Sequence, residues 1–160
     1  MIRSLVLVCF SALLLASSIS VASEDDLEAI RTLLSETSKQ LTAATLRGDG
    51  EAMLSFYAGD AISLPNYSPM LRGKEAIRLH GEEMERMGFQ FKAVDFRTGD
   101  LWTCGDLIYE IGNYDIAFCI GDTTEVVKEH GKYLTIWESQ PDGSLKIKVE
   151  TWNADSWPCQ

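Results

Sequence analysis

Three side chains have the type and setting for proton chemistry: His80, Glu110 and Glu150. Glu110 and Glu150 each stand in a segment that otherwise reads as apolar strand. A carboxyl group enclosed in an apolar interior has a raised pKa and can accept or donate a proton. Strand alternation equally allows each to face solvent, because every second side chain points outward. His80 shares a helical stripe with Ile77, Met84 and Met87, where an imidazole serves either as acid or base or as a hydrogen-bonded structural group. His130, beside Gly131, reads as a solvated loop residue. The aromatics Tyr57, Tyr67, Trp102, Tyr114, Tyr133, Trp137 and Trp152 could wall a pocket for a flat apolar ligand or form an ordinary core. Asn153 and Asp155 follow Trp152 near a strand end, where a polar group can orient a ligand. The sequence has no Gly-rich phosphate loop and no nucleophile elbow. Its two histidines are far apart and it lacks a Cys-x-x-Cys, so neither a metal nor a cofactor is expected.

The elements that must position these groups follow from periodicity. Leu27, Ile30, Leu34, Leu41 and Leu46 mark a long helix over 24–47, with Glu24, Asp25 and Asp26 suited to its start and Gly48-Asp49-Gly50 ending it. A short helix is expected over 51–57 and a short strand over 61–64. Pro65 and Pro69 mark the following loop, and a third helix is expected over 74–87 before Gly88. Four β-rich segments follow, at 91–104, 107–120, 132–138 and 145–153. Gly105-Asp106 breaks the first pair and Gln140-Pro141-Asp142-Gly143 turns the last. Helices first and a strand meander after them predict an α+β domain, with the helices on one sheet face. Residues 133–137 are apolar on both faces, which one covered face does not require. Either a second subunit or a loop covers the other side; the expectation is a homodimer through the outer sheet face.

The chain ends and the charge bound the setting. Arg3, an apolar run over 5–16, and small residues Ser20 and Ala22 predict a signal peptide over 1–22 cleaved after Ala22. Residues 23–160 then form one domain, exported to a periplasm or secreted. Fourteen basic against 24 acidic residues give a net charge of -10, and no basic stripe offsets it. That charge disfavours nucleic acid and anionic bilayers as partners. Cys104, Cys119 and Cys159 remain after processing. On the meander Cys119 and Cys159 fall at one end of the sheet and Cys104 at the other. A single disulfide would therefore join Cys119 to Cys159; three thiols are the alternative.

Several stretches in order resemble a known family. They are Gly48-Asp49, Phe56-Tyr57-Ala58-Gly59-Asp60-Ala61, Leu64-Pro65, Gly73 with Ile77, and the run from Gly105 to Tyr114. Gly131-Lys132-Tyr133 with Trp137, and Asp142-Gly143 through Lys146-Ile147 to Trp152-Asn153, complete the set. Together they are similar to nuclear-transport-factor-2-like (SnoaL-like) proteins, most of all to the branch related to the kinase-II association domain. The resemblance implies a curved, mainly antiparallel sheet wrapped around N-terminal helices, with a conical pocket and frequent dimers. Members include ketosteroid isomerases, cyclases, dehydratases and non-catalytic assembly modules, so fold alone does not give function. Isomerases of the family need a carboxylate base, a tyrosine and a protonated acid. Those positions align here with Pro65, Leu41 and a place near Thr135, which removes the isomerase apparatus.

The resemblance places Tyr57, Trp137 and Trp152 in the cavity wall and points Glu150 and Trp152 inward. The Pro-Asp-Gly turn instead suggests a register that puts Trp137 on the same face as Ile147. Both placements hold together only with a bulge, and the sequence leaves the register around Glu150 open. The implied function is binding of a small apolar or amphipathic molecule in the cone. If the domain is catalytic, cofactor-free general acid–base chemistry of isomerase, cyclase or dehydratase type is its natural class, with Glu150, Glu110 and His80 as the candidate groups. The alternative is a non-catalytic dimeric interaction domain whose cone is packed shut.

Overall fold

Ser23 opens the first helix, α1 (Glu24–Arg47), by accepting from the Asp26 backbone N–H at 3.2 Å while Asp26 accepts from the Ser23 N–H at 3.1 Å. This reciprocal capping satisfies donors the first turn leaves open. Gly48 stops the helix in the left-handed conformation at φ 65°, from which its N–H reaches the Ala44 and Thr45 carbonyls. The computed structural model describes residues 23–156, so the expected signal peptide over 1–22 and Cys159 of the expected disulfide lie outside the described residues. Cys119 is buried at the end of β4 and Cys104 is exposed at the end of β3, at opposite ends of that strand pair. Among the described residues no helix is long and apolar enough to cross a membrane.

After α1 come α2 (Gly50–Leu54), β1 (Tyr57–Leu64), β2 (Leu71–Arg72) and α3 (Gly73–Arg86). Then follow β3 (Gln90–Cys104), β4 (Leu107–Cys119), β5 (Val127–Ser139) and β6 (Leu145–Ala154). The strands form one sheet in the order β2-β1-β6-β5-β4-β3, antiparallel except for the β1–β6 pair. This is the α+β cone anticipated from sequence, with α1 packed on the inner face.

Three elements differ from the sequence reading. The short helix ends at Leu54 rather than residue 57, because the Ile147 N–H donates to the Phe56 carbonyl at 2.7 Å and draws Tyr57 into β1. The two-residue β2 pairs with Ile62 and Ser63, too short to show a period. The third long strand begins at Val127 rather than 132, since residues 127–131 continue the ladder against residues 114–118.

The core sits between α1 and the inner sheet face. Leu34, Ile108, Trp137, Leu145 and Ile147 form its buried cluster, with Ile30, Leu41 and Leu101 packed against it. On β5, Tyr133, Thr135 and Trp137 point inward, while Leu134 and Ile136 lie half-buried on the outer face. Two inner-face glycines admit aromatic rings. Gly112 pairs with Tyr133 and Gly131 with Tyr114, and a Cβ on either would stand 2.6 or 2.7 Å from the facing tyrosine side chain. Each ring thus lies across the glycine opposite it.

Candidate functional site

The β5–β6 ladder contains the bulge that the two sequence placements demanded. Ile136 pairs with Val149 and Trp137 with Ile147, leaving Lys148 as the extra residue. Parity shifts by one there, so Ile147 and Trp137 share the inner face with Glu150 and Trp152. Lys148, turned outward, holds Asp60 at 2.8 Å and Glu138 at 3.2 Å.

Beyond the bulge, four polar residues stand side by side across the inner face. Ser63 pairs with Glu150, Glu150 with Thr135, and Thr135 with Glu110. The two carboxylates are thus separated by one intervening strand, with backbones about 9.5 Å apart at ordinary strand spacing. Both border an internal cavity of about 200 Å³. Leu41, Thr45 and Ser38 of α1 and Met53 of α2 close one side of it. Phe91, Val94, Phe96, Tyr114, Ile116 and Tyr133 supply much of the sheet side. Phe96 is 37% exposed although it lines the cavity, which marks the open side.

Glu110 is 1% exposed and accepts three hydrogen bonds. Thr98 Oγ1 at 2.6 Å and the Tyr133 hydroxyl at 2.8 Å donate to Oε1, and Trp137 Nε1 donates to Oε2 at 2.7 Å. All three partners act as donors to its two oxygens. Its evident role is to fix the Tyr133 and Trp137 rings that wall the cavity. Burial, then the Glu110 charge and hydrogen bond, push the Tyr133 hydroxyl far above the ordinary phenol value.

Glu150 is less fully engaged. Tyr57 at 2.8 Å and Ser63 at 2.7 Å both donate to Oε1, and Oε2 accepts from no described residue. Glu150 keeps a partly accessible surface at the cavity but is enclosed by protein, so bulk solvent screens it little. Burial raises its pKa above the ordinary carboxylic-acid value, and the Ser63 and Tyr57 hydrogen bonds oppose the rise. Burial and then the Glu150 charge hold the Tyr57 hydroxyl well above its ordinary value. Tyr57 is therefore a fixed donor and Glu150 the group able to exchange a proton with a ligand. At the far end of the wall the Tyr114 hydroxyl donates to Glu129 at 2.7 Å.

The raised Glu150 pKa has a stability consequence. The folded state holds this proton more tightly than the unfolded chain, so its contribution to stability is full below the ordinary value of 4.5 and is lost as pH rises through the folded value. Glu150→Gln cannot ionise and should lack that loss. Urea unfolding of both proteins from about pH 4.5 upward should show the wild type declining relative to the variant. Parallel curves would remove the assignment.

Of the sequence candidates, Tyr57, Glu110, Tyr114, Tyr133, Trp137, Glu150 and Trp152 border the cavity. Four do not. Trp102 is turned to the outer face by the bulge at Gly99 in β3 and stacks there on Tyr109 at 5.7 Å. Asn153, one residue past Trp152, is exposed by strand alternation. Tyr67 sits in the β1–β2 loop at φ 58° and is 64% exposed. His80 is half-buried on α3, which packs on β1, β2 and α2 rather than over the cavity. His130 is exposed. Leu41 and Thr135 border the cavity without supplying the isomerase tyrosine or acid, and Pro65 is buried outside it. Sequence reasoning missed Ser63 and Thr98, the hydroxyls that hold the two carboxylates. Ser63 reaches Glu150 through the parallel β1–β6 pairing, which no local pattern announces. No cluster of three or more metal-ligating side chains occurs among the described residues.

The same architecture occurs in solved structures. A ketosteroid isomerase-like protein from Erwinia carotovora atroseptica superposes with a TM-score of 0.69 at 14% identity, over 79% of this chain and 96% of that one. An NTF2-like protein from Cytophaga hutchinsonii gives 0.63 at 18% identity, over 78% and 97%. A Catenulispora acidiphila structure in complex with S-DNPA gives 0.65 at 14% identity, over 80% and 95%. No protein-family model and no curated protein matches the chain. The fold is thus the NTF2-like cone, as the resemblance implied; at these identities the likeness concerns fold alone.

Proposed function

We propose that this protein is an exported binding domain that holds a small apolar or amphipathic molecule in its cone, with Glu150 as the group for cofactor-free acid–base chemistry. The observation that carries this reading is the cavity of about 200 Å³ with Glu150 on its wall and Oε2 without a partner among the described residues. A cavity of ~150 Å³ accommodates benzene, whereas drug-sized ligands occupy pockets of about 300–1,000 Å³. The occupant is accordingly about one ring with a polar substituent, smaller than a steroid skeleton. Export rests on the leader over 1–22, and a mature chain recovered outside the cytoplasm should begin at Ser23 by mass.

A panel of single-ring alcohols, amines and acids tests the binding reading by thermal unfolding. A ligand at 100 times its Kd stabilises by about 2.7 kcal/mol, roughly a 10 °C rise for a domain of this size. Leu41→Trp, which fills space beside the cavity, should abolish the rise. A flat response across the panel would discard the small-molecule role.

The second reading, a dimeric interaction domain, is favoured by the outer sheet face. Trp102, Tyr109, Ile136 and Val149 form one row across it, and Ile111 and Leu134 stand in the next. Trp102 is 43% and Ile111 38% exposed, an arrangement suited to a second copy of the chain. Dimerisation there is compatible with an occupied cone, so sedimentation and ligand binding test the two readings separately.

A further inference from the structure

We propose that the occupant of the cone is a small organic cation, an amine whose ammonium group sits between Glu110 and Glu150 against the aromatic wall. This rests on the binding reading above and narrows its ligand class. Three independent features of the site converge on it.

The first is charge balance. Two carboxyl groups border one small cavity, and every ion pair among the described residues lies elsewhere. Their five hydrogen-bond donors, from Thr98, Tyr133, Trp137, Tyr57 and Ser63, are all neutral. Burying a carboxylate without a cation is costly, and two sharing a site repel one another. A cation between them offsets both costs, whereas an anionic ligand adds to them.

The second is geometry. Thr135 separates the two glutamates on the strand ladder, and its short side chain leaves space between them. Glu110 already accepts three donors and is 1% exposed, whereas Glu150 accepts only two, both on Oε1, so that its Oε2 is the open acceptor an N–H of the ligand can fill. The third is the wall itself. Trp137, Trp152, Tyr114 and Tyr133 border the same cavity, and aromatic faces attract cations most strongly where water is excluded. The chain's net charge of -10 also draws cations toward the mouth.

Benzylamine and benzyl alcohol, matched in size and differing in charge at neutral pH, provide the test by calorimetry. The amine should bind at least about tenfold more tightly than the alcohol to the wild type. Glu150→Gln, which preserves shape, should weaken the amine by about tenfold or more and leave the alcohol within about threefold. Equal or stronger binding of the alcohol overturns the cation assignment while leaving the binding reading intact. Amine binding unaffected by Glu150→Gln places the cation elsewhere and overturns the site. If neither compound binds and the wider panel is also silent, the cavity reading fails with it.

Discussion

Glu110→Ala is expected to cost about 3–5 kcal/mol of folding stability, among the largest effects of any single substitution here. The carboxylate is 1% exposed, so its removal leaves three donors facing an empty space. Each orphaned buried donor costs about 1–3 kcal/mol, and relaxation of the site recovers part of the sum. The Tyr133 and Trp137 rings lose the anchor that sets their orientation, so near-ultraviolet circular dichroism should weaken even where the variant folds. Tyr133→Phe deletes one donor and keeps the ring, and should cost only about 1 kcal/mol. Urea unfolding of the pair checks the contrast. A Glu110→Ala loss no greater than that of Tyr133→Phe would mean the network does not hold the wall.

Gly131→Ala should be comparably severe, for a steric reason. A Cβ there would lie 2.1 Å from the Asn153 carbonyl and 2.7 Å from the Tyr114 hydroxyl oxygen. The tyrosine is a side chain and can swing, but the carbonyl belongs to the adjacent strand of the ladder. Relief therefore requires β5 and β6 to separate next to Trp152. Overpacking of this kind costs about 1–3 kcal/mol where side chains alone adjust, and more where backbone must move. Soluble yield and melting temperature should both fall, and adding Tyr114→Phe should not restore them, since the backbone clash remains. Wild-type stability in Gly131→Ala would show that the sheet is not so closely wound there.

Much of this arrangement was legible in the sequence because it rests on local periodicity. The Leu27-to-Leu46 stripe gave α1, and Pro141-Asp142-Gly143 gave the β5–β6 turn. Trp137 beside Ile147 and Glu150 pointing inward cannot coexist on an unbroken ladder, but only the observed register shows that both hold and places the bulge at Lys148. Elsewhere local signals were silent. Gly99 shifts the parity of β3, which sends Trp102 outward, and nothing in Thr98-Gly99-Asp100 fixes the position of a bulge. Ser63 meets Glu150 through strands 87 residues apart in sequence. Phe56 and Tyr57 follow a helical segment closely enough to extend its apolar stripe, and only the Ile147 hydrogen bond to Phe56 and the pairing of Tyr57 with β6 end the helix and start the strand at Tyr57. His80 shares a stripe with Ile77 and Met84, but a stripe shows that a helix packs, not what it packs against. The carboxylates were recognisable as anomalies in apolar strands; their common row with Thr135 became visible only with the register of three strands.

Whether a single-ring molecule enters the cone and meets Glu150 is decided most directly by a crystal structure of the protein soaked with benzylamine. The ring is expected between α1 and the inner sheet face, with its nitrogen within hydrogen-bonding distance of Glu150 Oε2. Density confined to the protein surface, or α1 side chains closed over Thr135 with no space left for a ring, would contradict it.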